Sequence, residues 1–293
     1  MKALLISDDA NTLKQLNTFV RGKLNADSLI IGDGDLKGCG SSVVYRMKSN
    51  TPYDAVSKAI AGIAKDYNYL FFGSTEVGRE IAGNVAGITG LFPMTEILSF
   101  EIAGDKAKTK RFFYGGKTVI EEESDARLFT VAPGIIEAAD VEKPFEERSL
   151  SPDDSRIKVK NVVNKQGTSV RLEDAKIIVS VGRGIGTKEN IQKIDPLVKL
   201  VNGELAGSRP VCMDYNWLSE DRQVGLSGKK VSPKLYIALG ISGQIQHIAG
   251  MRGSKTVIAI NKDKSAPIFQ ECDYGIVGDL FAIVPKLISD LSK

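Results

Sequence analysis

Four times in the second half of this chain a short apolar run stops at a glycine or a polar residue. Lys176–Val181 precedes Gly182-Arg183-Gly184, Lys234–Leu239 precedes Gly240-Ile241-Ser242-Gly243, Thr256–Ile260 precedes Asn261, and Tyr274–Val277 precedes Gly278-Asp279. Such runs are largely continuous rather than alternating, so both faces need cover, which is the condition of a parallel strand between layers of helix. The pattern predicts a C-terminal doubly wound, Rossmann-like domain. In a sheet of that kind the carboxyl ends of the strands share the edge at which ligands bind.

The first half carries a related alternation. Ala3–Ile6, Ser28–Ile31 and Tyr69–Phe72 read as strands, Pro52–Lys65 as an amphipathic helix, and Gly73-Ser74-Thr75-Glu76 as a strand-to-helix turn with Ser or Thr as N-cap, opening a helix to about Gly87. The sequence predicts a mainly parallel sheet with helices. Residues 96–103, 107–114, 117–121 and 127–132 are expected to extend it as an antiparallel meander. Glu142 to Ser155 is charged and rich in turn formers, and Asn164–Thr168 reads as exposed. A boundary near residue 169 then gives an α/β chain of two domains, 1–168 and 169–293, as its length of 293 residues leads one to expect.

Composition excludes several functions. One histidine and three cysteines (Cys39, Cys212, Cys272) without metal-type spacing leave neither a zinc site nor a disulfide framework. The 39 lysines and arginines are scattered among 36 acidic residues, so no nucleic-acid footprint is expected. No apolar run approaches the roughly 18 residues of a membrane span, and Met1–Asp9 reads as a strand rather than a signal peptide. A soluble, cytoplasmic chain is the expectation.

The strand ends favour an anionic, extended ligand. Gly240 and Gly243 let the backbone approach closely, and a helix beginning at Ser242 would turn free N–H groups and its positive dipole end toward a phosphate. Gly182-Arg183-Gly184-Ile185-Gly186 lacks the G-x-G-x-x-G spacing of a dinucleotide fingerprint, but Arg183 adds a fixed cation. His247 lies five residues beyond Ser242, roughly 7.5 Å further along such a helix. A lone helical histidine is more often a structural hydrogen-bonder. Here the neighbouring stretches Gly207-Ser208-Arg209-Pro210 and Gln223-Val224-Gly225-Leu226-Ser227-Gly228 bring it within a candidate site.

Taken together, Ser208-Arg209, Gln223-Val224-Gly225, Leu235–Ala238, Gly240–Met251, Ala259–Asp263, Ala266–Phe269 and Asp273–Phe281 resemble the C-terminal domain of the electron transfer flavoprotein alpha subunits, the FixB type. The first domain resembles that family more loosely, through Gly73-Ser74-Thr75, Gly78-Arg79 and the meander. The resemblance implies FAD bound chiefly by the second domain and a heterodimer with an electron transfer flavoprotein beta subunit. It also implies electrons taken from acyl-CoA or related dehydrogenases and passed singly to a quinone oxidoreductase, by a carrier with no substrate-transforming active site.

Carried over by position, Arg183, Ser208 and Arg209 would approach the cofactor, with Arg209 over the isoalloxazine. Val224, Gly225, Leu226 and Ser227 would border the ring, the Ser227 hydroxyl near N5. Ser242, Gly243, Gln244, Ile245, Gln246 and His247 would form the phosphate and ribityl loop, with His247 near the pyrimidine edge. Asn261, Asp279 and Leu280 would hold the ADP half. The chain departs from the family at Leu226 and Ser227, where Gln and Thr are usual. A guanidinium at about 4 Å, at an effective dielectric near 20, is worth at most about 4 kcal/mol to a negatively charged ring. At about 59 mV per tenfold for one electron, that bounds its effect on the potential at about 150–200 mV.

The alternative reading is an NAD-dependent oxidoreductase using the same edge. It lacks the G-x-G-x-x-G turn followed by an acidic ribose ligand. A nucleotide-sensing module built on the Gly73-Ser74-Thr75 turn is a third.

Overall fold

The computed structural model describes residues 1–152, 155–161 and 171–293. The chain forms two compact units, Met1–Lys165 and Gln166–Lys293. The boundary expected near residue 169 and the stretch Asn164–Thr168 lie outside the described residues.

The first unit runs β1 (Lys2–Ser7), α1 (Ala10–Val20), β2 (Asn25–Ile31), β3 (Val43–Met47), α2 (Tyr53–Ala64), β4 (Tyr69–Gly73), α3 (Glu76–Thr89), β5 (Pro93–Ala103), β6 (Lys106–Phe113), β7 (Thr118–Ser124), β8 (Leu128–Val131) and β9 (Glu146–Ser149). Its nine strands order as β7-β6-β5-β8-β4-β1-β2-β3-β9. Local chemistry starts the helices: Asp9 caps α1 by accepting from the Thr12 N–H at 2.8 Å, and Thr75 caps α3 by accepting from the Gly78 N–H at 2.9 Å.

The predicted meander is corrected at its last strand. β5, β6 and β7 are antiparallel, but β8 slots between β4 and β5 and runs parallel to both. The physical reason lies in its residues. Leu128-Phe129-Thr130-Val131 is buried throughout, and Phe129 stacks on Phe71 of β4 at 5.1 Å between ring centres. A strand apolar on both faces belongs inside a sheet. β7, with Glu121 and Glu122 paired to Lys108 and Arg111 at 2.7 Å, suits an edge. At the other edge β9, fully exposed Glu-Glu-Arg-Ser, pairs with β3 inside the stretch expected to be turns. With no apolar residue it gives no strand signal.

The second unit contains β10 (Ile177–Val181), α4 (Asp195–Leu200), β11 (Glu204–Gly207), β12 (Leu235–Leu239), α5 (Ile245–Met251), β13 (Val257–Asn261), β14 (Tyr274–Val277) and α6 (Leu280–Leu291). All five strands are parallel, in the order β11-β10-β12-β13-β14. Alternate residues serve alternate faces. Val179, Val181, Ile237 and Leu239 pack with Leu197 of α4 and with Leu280 and Val284 of α6. Ile178, Tyr236 and Ala238 pack with Ile248 and Met251 of α5 and with Val224 and Val231. The doubly wound sheet is therefore present, and its winding reverses between β10 and β12, the point at which such sheets open a crevice at their carboxyl edge.

Candidate functional site

At that reversal the chain ends of β10 and β12 nearly touch. The Gly184 N–H donates to the Gly240 carbonyl at 3.0 Å, and Gly240 has φ +62°. A Cβ on Gly240 would stand 2.8 Å from the Gly184 Cα, so only glycine permits this approach. The next strand out, β11, supplies Ser208, whose N–H donates to the Val181 carbonyl at 3.0 Å, and Arg209. This is a fifth strand end, beyond the four that the punctuation marks. The segment Gln223–Ser227 closes the opposite wall: the Val224 N–H bonds the Gly207 carbonyl at 2.9 Å and the Leu226 N–H bonds the Gln246 carbonyl at 2.7 Å. Between these elements lies a cleft of about 610 Å³, a size suited to a cofactor.

The cleft brings together Arg183, Ser208, Arg209, Val224, Gly225, Leu226, Ser227, Ser242, Gly243, Gln244, Gln246, His247 and Asn261. Three of the expected residues lie apart. Ile245 is not part of the lining and is 41% exposed. Asp279 spends its carboxylate as the N-cap of α6, accepting from the Phe281 N–H at 2.9 Å, and the Leu280 side chain is in the core. The helix expected from Ser242 begins instead at Ile245. Gly243, at φ +87°, and the bond from the Ile268 N–H to the Ser242 carbonyl, 3.0 Å, hold the approach to it open. Asn261 fastens that approach by donating its Nδ2 to the Ile241 carbonyl at 2.8 Å.

The charges suit an anion. Arg183 and Arg209 are exposed on the lining and form no salt bridge among the described residues. The one acidic residue on the lining, Asp263, accepts from the Ser265 hydroxyl at 2.6 Å and from its N–H at 2.9 Å. His247 is 7% exposed. Burial pushes its pKa down to about 4, against an opposing contribution from the Val224 backbone, so it is neutral at pH 7.

Two contributors are not among the expected site residues, although the stretches that hold them carry the family resemblance. Gln223, buried on the lining, donates its Nε2 to Ser227 Oγ at 3.1 Å, which leaves the serine O–H free to point elsewhere. Tyr236, on β12, places its hydroxyl 2.9 Å from Nε2 of His247. A tyrosine in an apolar run reads only as core.

Residues 171–252 match the family model described as the electron transfer flavoprotein FAD-binding domain, and residues 38–153 match the electron transfer flavoprotein domain. An electron transfer flavoprotein subunit alpha from Thermoanaerobacterium thermosaccharolyticum is 36% identical, over 92% of this chain and 88% of its own. Proteins named FixB from Clostridium saccharobutylicum and Escherichia coli K12 are 35% and 34% identical, over 100% and 95% of this chain and 86% and 91% of theirs. The chain belongs to the electron transfer flavoprotein alpha-subunit family.

FAD is the cofactor of the family. The residues of the cleft fit such a group on their own chemistry. A dinucleotide carries anionic phosphates, and the lining offers two uncommitted guanidiniums and the N–H groups of Ser242, Gly243 and Gln244, which have no partner among the described residues. A flavin ring carries acceptor atoms, and Nδ1 of His247, buried in the cleft wall beside the Val224 backbone, makes no hydrogen bond of ordinary geometry among the described residues. The match to the FAD-binding model ends at residue 252, before Asn261, Asp279 and Leu280.

Proposed function

We propose that this chain is the FAD-binding subunit of a heterodimeric electron carrier. In complex with an electron transfer flavoprotein beta subunit it accepts electrons from acyl-CoA or related dehydrogenases and passes them one at a time to a quinone oxidoreductase. The cofactor lies in the cleft at the carboxyl ends of β10 and β12. The observation that carries this reading is the juxtaposition, at one sheet edge, of the Gly184–Gly240 approach, the unpaired Arg183 and Arg209, and a buried neutral histidine.

Bound FAD supplies the redox chemistry. The chain's own residues bind it and tune it. Arg209, which cannot deprotonate, provides a permanent positive charge, while Ser242–Gln244 and the glycines hold the phosphate half. Among the described residues no helix is long and apolar enough to cross a membrane.

The test is to purify the chain together with a beta subunit and record its visible spectrum and cofactor mass, then titrate the apoprotein with FAD and with NADH. The expected result is one FAD retained, with the flavin's two absorption bands, bleached by a dehydrogenase and its substrate. Tight binding of NADH alone would overturn the proposal in favour of a nicotinamide site.

A further inference from the structure

A neutral imidazole has one N–H and one lone pair, and the protein decides which nitrogen holds which. For His247 that decision rests with Tyr236. The tyrosine is fully buried on β12, the histidine sits in the first turn of α5, and the two groups meet through a hydroxyl-to-Nε2 contact of 2.9 Å with the rings 6.1 Å apart. Two arrangements satisfy that distance. Either the Tyr236 O–H donates to a lone pair on Nε2, or Nε2–H donates to the tyrosine oxygen.

The surroundings separate them. If Nε2 held the hydrogen, the buried Tyr236 O–H would need a second acceptor. The Ser180 hydroxyl, fully buried on the adjacent strand β10, interacts with the tyrosine and is within reach to serve as one, so the choice falls to the other ring nitrogen. Nδ1 would then turn a bare lone pair toward the backbone of Val224, whose N–H is already given to the Gly207 carbonyl and which offers the ring only its own carbonyl. With Tyr236 as donor, the tyrosine is satisfied and Nδ1 carries the hydrogen, in the cleft wall beside Val224, which a polar contact of the Val224 backbone with the ring also favours.

We infer that Tyr236 is a positioning residue for the cleft: its hydroxyl donates to Nε2 of His247 and holds the imidazole as the tautomer with its hydrogen on Nδ1, a donor for an acceptor atom of the bound cofactor. Only the last clause rests on the cleft being the FAD site. Tyr236 acts through His247 and does not itself line the cleft.

The chain's single histidine makes the test direct, because a sample labelled with 15N-histidine gives one imidazole spectrum. At pH 7 the full chain is expected to show a protonated, pyrrole-type Nδ1 and a pyridine-type Nε2 shifted by an accepted hydrogen bond. A protonated Nε2, or a doubly protonated ring, would overturn the assignment without any variant. Tyr236→Phe removes the donor and keeps the ring, and the Nδ1–H form is expected to fall from the dominant species to a minority. Retention of the wild-type tautomer in a folded Tyr236→Phe chain, judged by an unchanged far-ultraviolet spectrum, would equally overturn it. Added FAD, with the beta subunit present, is expected to shift the Nδ1 signal. A fixed Nδ1–H tautomer that ignores FAD would leave the tyrosine–histidine assignment standing and remove the cofactor from this cleft.

Discussion

Arg209 and His247 face one cleft, but they differ in what they can do for it. Arg209 is exposed and has no ion-pair partner among the described residues, so its charge reaches a ligand through water as well as protein. Screening therefore takes its effect well below the ceiling of about 150–200 mV set by a single charge at about 4 Å. Arg209→Ala is expected to lower the flavin's first reduction potential by tens of millivolts, with Arg209→Lys recovering much of the shift; spectroelectrochemistry reads both, and an unchanged potential in the alanine variant would remove Arg209 from the cofactor. His247 acts instead through burial. Its pKa near 4 in the folded chain lies below the ordinary value of 6.5, so on acidification the unfolded chain takes up the proton first. The histidine's contribution to stability is complete above about pH 6.5, declines as the pH falls toward 4, and is lost below, a total of about 3 kcal/mol. Urea unfolding at pH 7.5 and 4.5 should show a larger loss in the wild type than in His247→Gln, whose other titrating groups are the same; equal losses would mean that the ring is not buried neutral.

At the scale of elements, strand ends were legible because glycine punctuates apolar runs. Strand order was not, and it decides which ends matter. β14 is the edge strand, two positions from the reversal between β10 and β12, so Asp279 and Leu280 turn into the cap and core of α6 instead of the cleft. Ser242 was readable as a strand-end residue, but its helix starts three residues later because Gly243 at φ +87° breaks the turn. Tyr236 and Gln223 lie in stretches that carry the resemblance, but their roles stayed hidden because these exist only through a second side chain brought up by the fold. Backbone approach gives the sharpest test at this scale. Gly240→Ala must place a Cβ in the left-handed region and 2.8 Å from the Gly184 Cα, which is expected to cost about 2–4 kcal/mol in strain and overpacking and to release FAD. Gly83→Ala, in the interior of α3 with open space around it, is the opposite case and should stabilise by about 0.4–1 kcal/mol. Denaturant midpoints measure both, and a Gly240→Ala chain as stable as wild type would deny the close packing of the two strand ends.

At the scale of the whole molecule, the two units have separate cores and separate sheets, and only the second carries the cleft. A ligand that binds the folded state alone adds about 2.7 kcal/mol at a hundredfold excess over its dissociation constant, and that energy is felt by the elements whose opening destroys the site. The cleft draws on β10, β11, β12 and β13, on residues 223–227 and on the start of α5. Opening any of these breaks contacts on the lining, whereas opening β5, β6 and β7 breaks none. Hydrogen exchange on the chain with and without FAD, both with the beta subunit bound, should show slowing in residues 177–185, 204–209, 223–228 and 235–261. The hairpin of β6 and β7 should exchange as before. β14 is the informative intermediate, because it pairs with β13 but gives nothing to the cleft. It should be protected less than β12. Equal protection of β14 and β12, or protection centred on the first unit's strand ends at Gly73–Thr75, would move the cofactor away from the β10–β12 reversal and with it the roles assigned to Arg209 and His247.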